Sequence, residues 1–582
     1  MLSRYFKCLS GEELIGGLEF KNRNLGKSIT MFCRRIAASN KVKGIFLSSS
    51  LTEEGKLIEV LDVIESFKPR LMSYFKSFNS RPVLFLAVDS WVFERDVDRG
   101  FLGDAIAIRL AFPYIPLANK DYLKKLEAKL KRRLIQEILE NLIMSFPELS
   151  YEIRIKPEYF VYETLLSRSR LYPPMIYDVT DFLRQDSREE NLKWVMEGYQ
   201  AALNTLEKEN VVERVNGFFK ISKEYIDQLK KMKTRVLKPL KSAQKTIFMS
   251  LIRTFPKILE AFAVNRDMLK GLQLSDYATL KSVHHIEDPE SYLFAPTATG
   301  LIPLSVKMDV KTFARKVLSA GQDVEVKIEE IGGVLNDVYL VEAFVEGEVR
   351  RAVAKSFKEW SSLKWFPINL WTLGTRTFAL SARLRLEREC AFNHYLHSKG
   401  FSVPKLLGVS HRKRLVFMEY IDGENLEKLL KKILSSKRKG EVKEELSLLE
   451  RVGEQFAKVH GNNIVLGDTK PENILVGKGK GIFLLDLEQA SRGGDKAWDI
   501  AEFLYYIGHY ASPISNIRLL EMAVEAFLKG YFAGGGNPEV VKRAGTAKYT
   551  KVFSIFVFPN IILDISKMCR RAYQVYRGGE YG

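Results

Sequence analysis

Residues 459–490 read VHGNNIVLGDTKPENILVGKGKGIFLLDLEQA, and this stretch decides the fold of the C-terminal half. A helix ends near His460, a short loop carries Asp468, Asn473 follows five residues later, and two strands then deliver Asp486. Transfer of a phosphoryl group to a hydroxyl needs a carboxylate to accept the proton and hard oxygen ligands to hold magnesium between phosphates. Asp468 suits the first role, and Asn473 and Asp486 suit the second. Lys470, two residues past Asp468, is placed to steady a γ-phosphate as charge builds. The segment GDKAWDIAEFLYYI follows at once, so Asp499 opens a helix from which it can brace the loop through backbone amides, a structural role.

Upstream segments complete the set. VEVKIEEIGGVLNDVYLVEAF, residues 324–344, reads as strand, glycine turn, strand; Gly332 and Gly333 let backbone approach phosphates closely. RRAVAKSFK places Lys355 in an alternating strand, where a lysine can bridge the α- and β-phosphates. The helix in SARLRLERECAFNHYLHSKG offers a glutamate to hold that lysine: Glu389, eleven residues before Gly400, is the first choice and Glu387 the fallback. RLVFMEYIDGENL ends a buried strand at Met418-Glu419-Tyr420, which resembles a hinge whose backbone groups hydrogen-bond an adenine edge.

DTKPENIL closely resembles the catalytic loop of Ser/Thr protein kinases, with its Asp, a Lys two residues on and an Asn five residues on. From about Val324 to the mid-500s the chain looks like the eukaryotic-type kinase and aminoglycoside phosphotransferase superfamily. Within it the resemblance is to the compact atypical branch: RIO kinases, the small kinase of the KEOPS tRNA-modification complex, and aminoglycoside phosphotransferases. The reason is the interval LEQASRGGDKAWD, which passes from Asp486 to the Asp499 helix with no long activation loop and no APE signature. The resemblance implies ATP and Mg²⁺ as cofactors, a two-lobed fold, and no need for loop phosphorylation. Two departures matter. Leu466 stands where the family's histidine usually packs, and the Asp-Phe-Gly triplet reads Asp486-Leu487-Glu488. Small-molecule kinases of the choline and aminoglycoside type often carry a glutamate there, whereas Lys470 is the protein-kinase choice.

The rest of the 582 residues bounds the whole. That length exceeds one hydrophobic core, so three or four domains are expected. Hydrophobic residues at 46% and charged residues at 28% exclude a mostly disordered chain. Four cysteines without CxxC spacing argue against a disulfide scaffold or a zinc ribbon and for a reducing, cytoplasmic setting. The opening MLSRYFKCLSGEELIGG has no apolar h-region, and the greasiest run, VFSIFVFPNIILDI, is short and broken by Pro559 and Asn560, so no membrane is expected. Ninety Lys+Arg against 71 Asp+Glu leave a net +19, compatible with nucleic acid, an acidic partner or a phosphorylated ligand.

KGIFLSSS and RPVLFLAV read as short buried strands, and KDYLKKLEAKLKRRLIQEILENLIMSF as a long amphipathic helix with Leu123, Leu126, Leu130, Leu134, Ile138 and Leu142 on one stripe. This first domain faintly resembles a nucleotidyltransferase core. Glu59, Asp62 and Asp89 make a poor carboxylate set, which favours a catalytically silent relative or an unrelated α/β domain. Beyond Glu189, a helix through Leu206 leads to VVERV, the turn Asn216-Gly217 and FFKI, the C-terminal half of a winged helix-turn-helix. No acidic residue interrupts Lys230, Lys231, Lys233, Arg235, Lys238, Lys241, Lys245, Arg253 and Lys257, a candidate footprint for DNA or RNA.

The expected architecture is multidomain α+β. It comprises an α/β domain (1–185), a winged helix (186–232), a helical basic connector (233–300) and a kinase-like domain (301–582). In the last, the N-lobe spans about 324–422 and the C-lobe about 423–575. The expected activity is an atypical Ser/Thr protein kinase with N-terminal domains that recruit a substrate or nucleic-acid complex. Two alternatives stand beside it: a small-molecule O-phosphotransferase, and a nucleic-acid-binding regulator whose kinase fold is inert or senses nucleotide.

Overall fold

The computed structural model describes residues 23–38, 40–48, 58–78, 81–171, 182, 188–236, 287–319, 321–322, 324–332, 336–359, 379, 381–436, 442–511 and 517–578. Two compact units, each discontinuous in sequence, divide the chain: Met1–Ser145 with Ile155–Leu293, and Phe146–Arg154 with Phe294–Gly582.

Apolar runs bounded by charge become the strands of the first unit. After α1 (Arg23–Ala37) come β1 (Val42–Ser48), β2 (Ile58–Ile64), β3 (Leu71–Phe78), β4 (Arg81–Asp89) and β5 (Tyr114–Ala118), in the sheet order β3-β4-β2-β1-β5. β2 and β4 pair parallel and the other neighbours antiparallel. β2 is buried on both faces, which is why its sequence shows little alternation. Asp89 ends β4 and caps α2 (Ser90–Arg99) by accepting from the Trp91 N–H. The striped helix is α3 (Lys120–Ser145), with all six stripe residues buried.

Glu59, Asp62 and Asp89 do not converge. Glu59 pairs with Arg109 at 2.7 Å. Asp62 is fully buried in the core, where burial pushes its carboxyl up to about 8. Asp89 accepts the Phe67 N–H at 2.8 Å as well as that of Trp91.

Continuing, β6 (Arg154–Ile155), α4 (Glu158–Leu171) and α5 (Arg188–Lys208) lead to β7 (Val212–Val215), β8 (Phe218–Ile221) and α6 (Lys223–Val236). β7 and β8 form an antiparallel hairpin with Asn216 and Gly217 at its tip, at φ of 49° and 81°. A two-residue hairpin turn of type I′ demands that left-handed pair. Lys238 to Lys257 of the basic run, and most of the connector, lie outside the described residues. The connector's described end is not helical: Pro289–Tyr292 is a 3-10 turn, followed by β9 (Leu293–Thr297) pairing antiparallel with β10 (Gly300–Pro303). Pro289 and Pro296 have no N–H for a helix ladder, and Leu293 and Ala295 alternate inward.

In the second unit, β11 (Val326–Gly332), β12 (Asn336–Val345), β13 (Glu348–Phe357), β14 (Leu406–Ser410) and β15 (Leu415–Glu419) form one antiparallel sheet, order β11-β12-β13-β15-β14. α7 (Ala382–Ser398) lies between β13 and β14 in sequence. The Phe313 ring stacks on that of Phe417, centroids 4.0 Å apart.

The remainder is mostly helical. β16 (Gly423–Asn425), α8 (Leu426–Ser435), α9 (Lys443–Gly461), β17 (Ile464–Val465), β18 (Ile474–Gly477), β19 (Ile482–Leu484) and β20 (Ser491–Arg492) precede α10 (Lys496–Tyr510), α11 (Ile517–Ala533), α12 (Pro538–Ala544), α13 (Ala547–Phe553) and α14 (Pro559–Gly578). Its core gathers Phe456, Phe503, Phe527 and Tyr531. Pro559 starts α14 and so splits the greasy run. Among the described residues, no helix is long and apolar enough to cross a membrane.

Candidate active site

Lys355 sits on β13, 4% exposed, opposite Val338 on one side and Val416 on the other. Val338 in turn faces Gly332. The glycine and the lysine therefore occupy one level of the sheet, two strands apart. Among the described residues no atom lies within 4 Å of the place a Gly332 Cβ would take; Gly333 lies outside the described residues. The Lys355 Nζ donates to Glu389 Oε2 at 3.0 Å and to Asp486 Oδ1 at 2.7 Å, and lies 3.0 Å from Glu488 Oε2. Burial works against the ammonium, but the carboxylates of Asp486, Glu389 and Glu488 outweigh it and hold its pKa well above the ordinary lysine value. For Glu389, burial raises the carboxyl pKa against the pull of Lys355.

The fallback residue, Glu387, does not meet Lys355. Two positions apart on a helix is about 200° of rotation, so the two side chains leave α7 in opposite directions. Both are 1% exposed.

Glu488 carries more than a sequence reading can assign. Besides Lys355, it accepts from Asn336 Nδ2 at 2.7 Å and lies 3.4 Å from the fully buried Arg385 guanidinium. Arg385 and Glu389 are four apart on α7 and share the face that looks at the lysine, a spacing visible in the sequence. Asn336 had no such signal. Gln489 then pins the backbone of Ala379, accepting its N–H at 2.9 Å and donating to its carbonyl at 3.2 Å.

Asp468, Asn473 and Asp486 line one small cavity, with Leu466, Thr469 and Leu485. Asp486 adopts a left-handed backbone, φ 56° and ψ 65°, which short polar residues tolerate best. The Lys470 Nζ lies 3.1 Å from Asp468 Oδ1. Burial disfavours the charged Lys470, but Asp468 and Glu502 more than offset this and raise its pKa. Asn473 Nδ2 donates to the Asp468 carbonyl at 3.2 Å, tying the ends of the loop.

Two carboxylates on α10 hold that loop from beneath. Asp499, fully buried, accepts the N–H groups of Leu466 at 2.7 Å and Gly467 at 2.8 Å. Glu502 accepts the Thr469 N–H at 2.8 Å. His460 bridges Asp499 (3.1 Å) and the Tyr531 hydroxyl (2.9 Å). Leu466, in the histidine's customary place, is buried.

Glu419 and Tyr420 have partners of their own. Glu419 exchanges hydrogen bonds with Lys405, donating its N–H to the carbonyl at 2.9 Å and accepting the Lys405 N–H on its side chain at 3.2 Å. The Tyr420 ring lies under the Arg351 guanidinium, 5.6 Å away. Among the described residues, Glu389, Asp486 and Glu488 offer carboxylate oxygens within 4.8 Å of one another. Asn473 and Asp486 are the pair that suits a metal, because the three clustered carboxylates are already held by the Lys355 ammonium. The Asn473 amide and the Asp486 carboxylate face the same cavity, and all of these are the hard oxygens that magnesium prefers.

A lysine–glutamate pair under an antiparallel sheet, joined to an Asp–Asn loop braced by a helix, is an arrangement that resembles the atypical branch of the protein-kinase-like superfamily, and the sequence comparisons support that likeness. Residues 346–531 match the lipopolysaccharide kinase (Kdo/WaaP) family. Over 132 residues, 23% of this chain, the sequence is 29% identical to the KEOPS complex subunit Bud32 of Pyrococcus abyssi (strain GE5 / Orsay). That alignment covers 56% of the archaeal protein, so the chain spans about half the length of the curated relative it matches.

Proposed function

We infer that the second unit is a phosphotransferase, an atypical Ser/Thr protein kinase that moves the ATP γ-phosphoryl group to a hydroxyl. The observation that supports it most is the meeting of Lys355 with Glu389 and Asp486, residues from β13, α7 and the segment after β19. In this reading Lys355, fixed by Glu389, takes the α- and β-phosphates, and Gly332 and Gly333 cover them with backbone. Glu419 and Tyr420 supply the adenine-binding backbone. Magnesium supplies charge neutralisation at the phosphate oxygens, and Asn473 and Asp486 are the residues to hold it. Asp468 accepts the hydroxyl proton as the new O–P bond forms and the bond to the β-phosphate oxygen breaks, while Lys470 steadies the transferring group. Asp499 keeps the loop in shape. The first unit recruits the substrate complex, with the Asn216-Gly217 hairpin as the wing of a winged helix and the basic run as a contact for nucleic acid.

Small-molecule O-phosphorylation is the second reading, favoured by the Kdo/WaaP match and by Glu488. Both readings require magnesium-dependent ATP turnover, and Asp486→Ala should lower it by a hundredfold or more. Full activity in that variant would discard both. Radiolabelled ATP offered with autophosphorylation, casein-type protein acceptors and a panel of sugars then separates them. Label in protein alone supports the first reading, and label in a sugar alone replaces it with the second.

A further inference from the structure

Residues Phe146–Arg154 belong with the second unit although its remaining residues begin nearly 140 positions later. They lie along one side of α7. At its start, the Arg383 guanidinium lies 4.6 Å from the Phe146 ring, which also packs at 5.1 Å on His411 from the β14–β15 turn. In the middle, Glu387 Oε1 accepts the backbone N–H groups of Glu148 at 2.5 Å and Leu149 at 2.8 Å. Towards its end, Arg492 lies 4.3 Å from the Tyr151 ring and 4.4 Å from the Tyr395 ring, and ion-pairs with Glu148 and Glu152 at 3.5 Å each.

The positions 383, 387 and 394 form one stripe of the helix, 385 and 389 form the opposite one, and Tyr395 lies between them. The first stripe takes Phe146–Arg154; the second takes Glu488 and Lys355. Arg492 also lies on β20, which pairs with β17 immediately before Leu466 and the Asp468 loop. A nine-residue segment thus touches both the helix that carries Glu389 and the strand following Asp486.

We propose that Phe146–Arg154 is a built-in clamp that fixes α7 with Glu389 against Lys355, the task other kinases give to an ordered activation loop, and that Glu387 and Arg492 are its positioning residues. The proposal rests on the phosphotransferase reading, whose site it regulates. Glu387 holds the segment by accepting hydrogen bonds, so a side chain that still offers a carbonyl oxygen keeps the clamp. Arg492 holds it by stacking and by two carboxylates, a combination a lysine does not reproduce.

The test uses the full chain and follows magnesium–ATP turnover together with hydrogen exchange of the α7 amides. Glu387→Ala and Arg492→Ala should each lower kcat about tenfold, the span of an ordinary coupling between sites, and speed exchange across residues 382–398. Glu387→Gln should restore both to within about twofold of the unaltered protein, and Arg492→Lys should not. Unchanged kcat and exchange in the alanine variants overturn the clamp, as does a Glu387→Gln protein that fails as badly as Glu387→Ala. If Glu387→Ala does not fold, Tyr151→Ala and Arg492→Ala carry the same comparison. The unaltered protein and Asp486→Ala, assayed in parallel, separate the failures. No turnover in the unaltered chain sinks the phosphotransferase reading, whereas turnover that Asp486→Ala abolishes and the clamp variants leave alone sinks only the clamp.

Discussion

Glu387 binds backbone N–H groups, not an ammonium, and the difference from its neighbour Glu389 has a measurable consequence. Burial raises its carboxyl to about 7 from an ordinary 4.5, with the two N–H donors only partly offsetting it. A group whose folded pKa is raised favours folding at low pH. Its contribution is complete below about 4.5 and is lost as pH rises through about 7, some 3 kcal/mol at most by linkage. Glutamine does not titrate, so the stability of Glu387→Gln relative to the unaltered chain should climb between pH 4.5 and 7 and level off above. Urea midpoints taken at half-unit intervals check this, and parallel curves for the two proteins would refute it. The sequence ranks Glu389 first for Lys355, by its distance from Gly400, with Glu387 as the fallback, and the helix rotation explains why Glu389 is the one that meets the lysine. Glu488 was legible as a mark of small-molecule kinases but not as the hub that joins Lys355, Arg385 and Asn336, because the partners lie 103 to 152 residues away along the chain.

At the scale of elements, legibility followed the spacing of leucines. α3 keeps its stripe from Leu123 to Leu142 even though burial extends beyond it to Glu127, Lys131, Ile135, Leu139 and Ile143, whereas α7 buries Arg385, Glu387 and Glu389 among its apolar residues and shows no clean stripe. Its glutamates read equally well as a solvated surface, and the segment that covers Glu387 lies 239 residues upstream. The packing of α9 on α11 was equally silent. Gly453 and Gly530 let the two backbones touch: a Cβ on Gly530 would lie 1.7 Å from the Glu450 carbonyl oxygen, and one on Gly453 2.1 Å from that of Phe527. Backbone cannot swing aside as a long side chain can, so the helices must separate. Gly530→Ala should cost at least about 2 kcal/mol, against the small gain alanine brings to an open helix position. Gly461→Ala is the internal comparison, since nothing among the described residues lies within 4 Å of its Cβ position. Denaturant unfolding of both decides the matter, and a Gly530→Ala protein as stable as Gly461→Ala would show that the helices are not in backbone contact.

Across the whole molecule, the order of motifs from Gly332 to Asp499 was readable because phosphoryl transfer fixes both residue type and sequence order, while the interleaving of the two units was not. No local pattern announces that nine residues after a long helix join a different unit from the helix itself. Net charge is the one global quantity the sequence states outright, and it bears on recruitment. Ninety Lys+Arg against 71 Asp+Glu leave +19, and the uninterrupted basic stretch begins at Lys230 on α6. If that stretch contacts nucleic acid, affinity for duplex DNA falls linearly in log–log form with salt, at a slope near −0.9 per phosphate neutralised. Replacing Lys230, Lys231, Lys233, Lys238, Lys241 and Lys245 by glutamine takes about one unit off the slope for each lysine that meets a phosphate. Magnesium–ATP turnover should stay as it was, because no member of the Lys355–Asp468–Asp486 motif set falls in this stretch of sequence. Fluorescence anisotropy with a labelled duplex and a labelled single-stranded RNA, read from 50 to 300 mM salt, measures the slope. Binding indifferent to salt, or a slope the six substitutions leave unchanged, removes nucleic acid from the account and returns the basic stretch to an ordinary solvated surface.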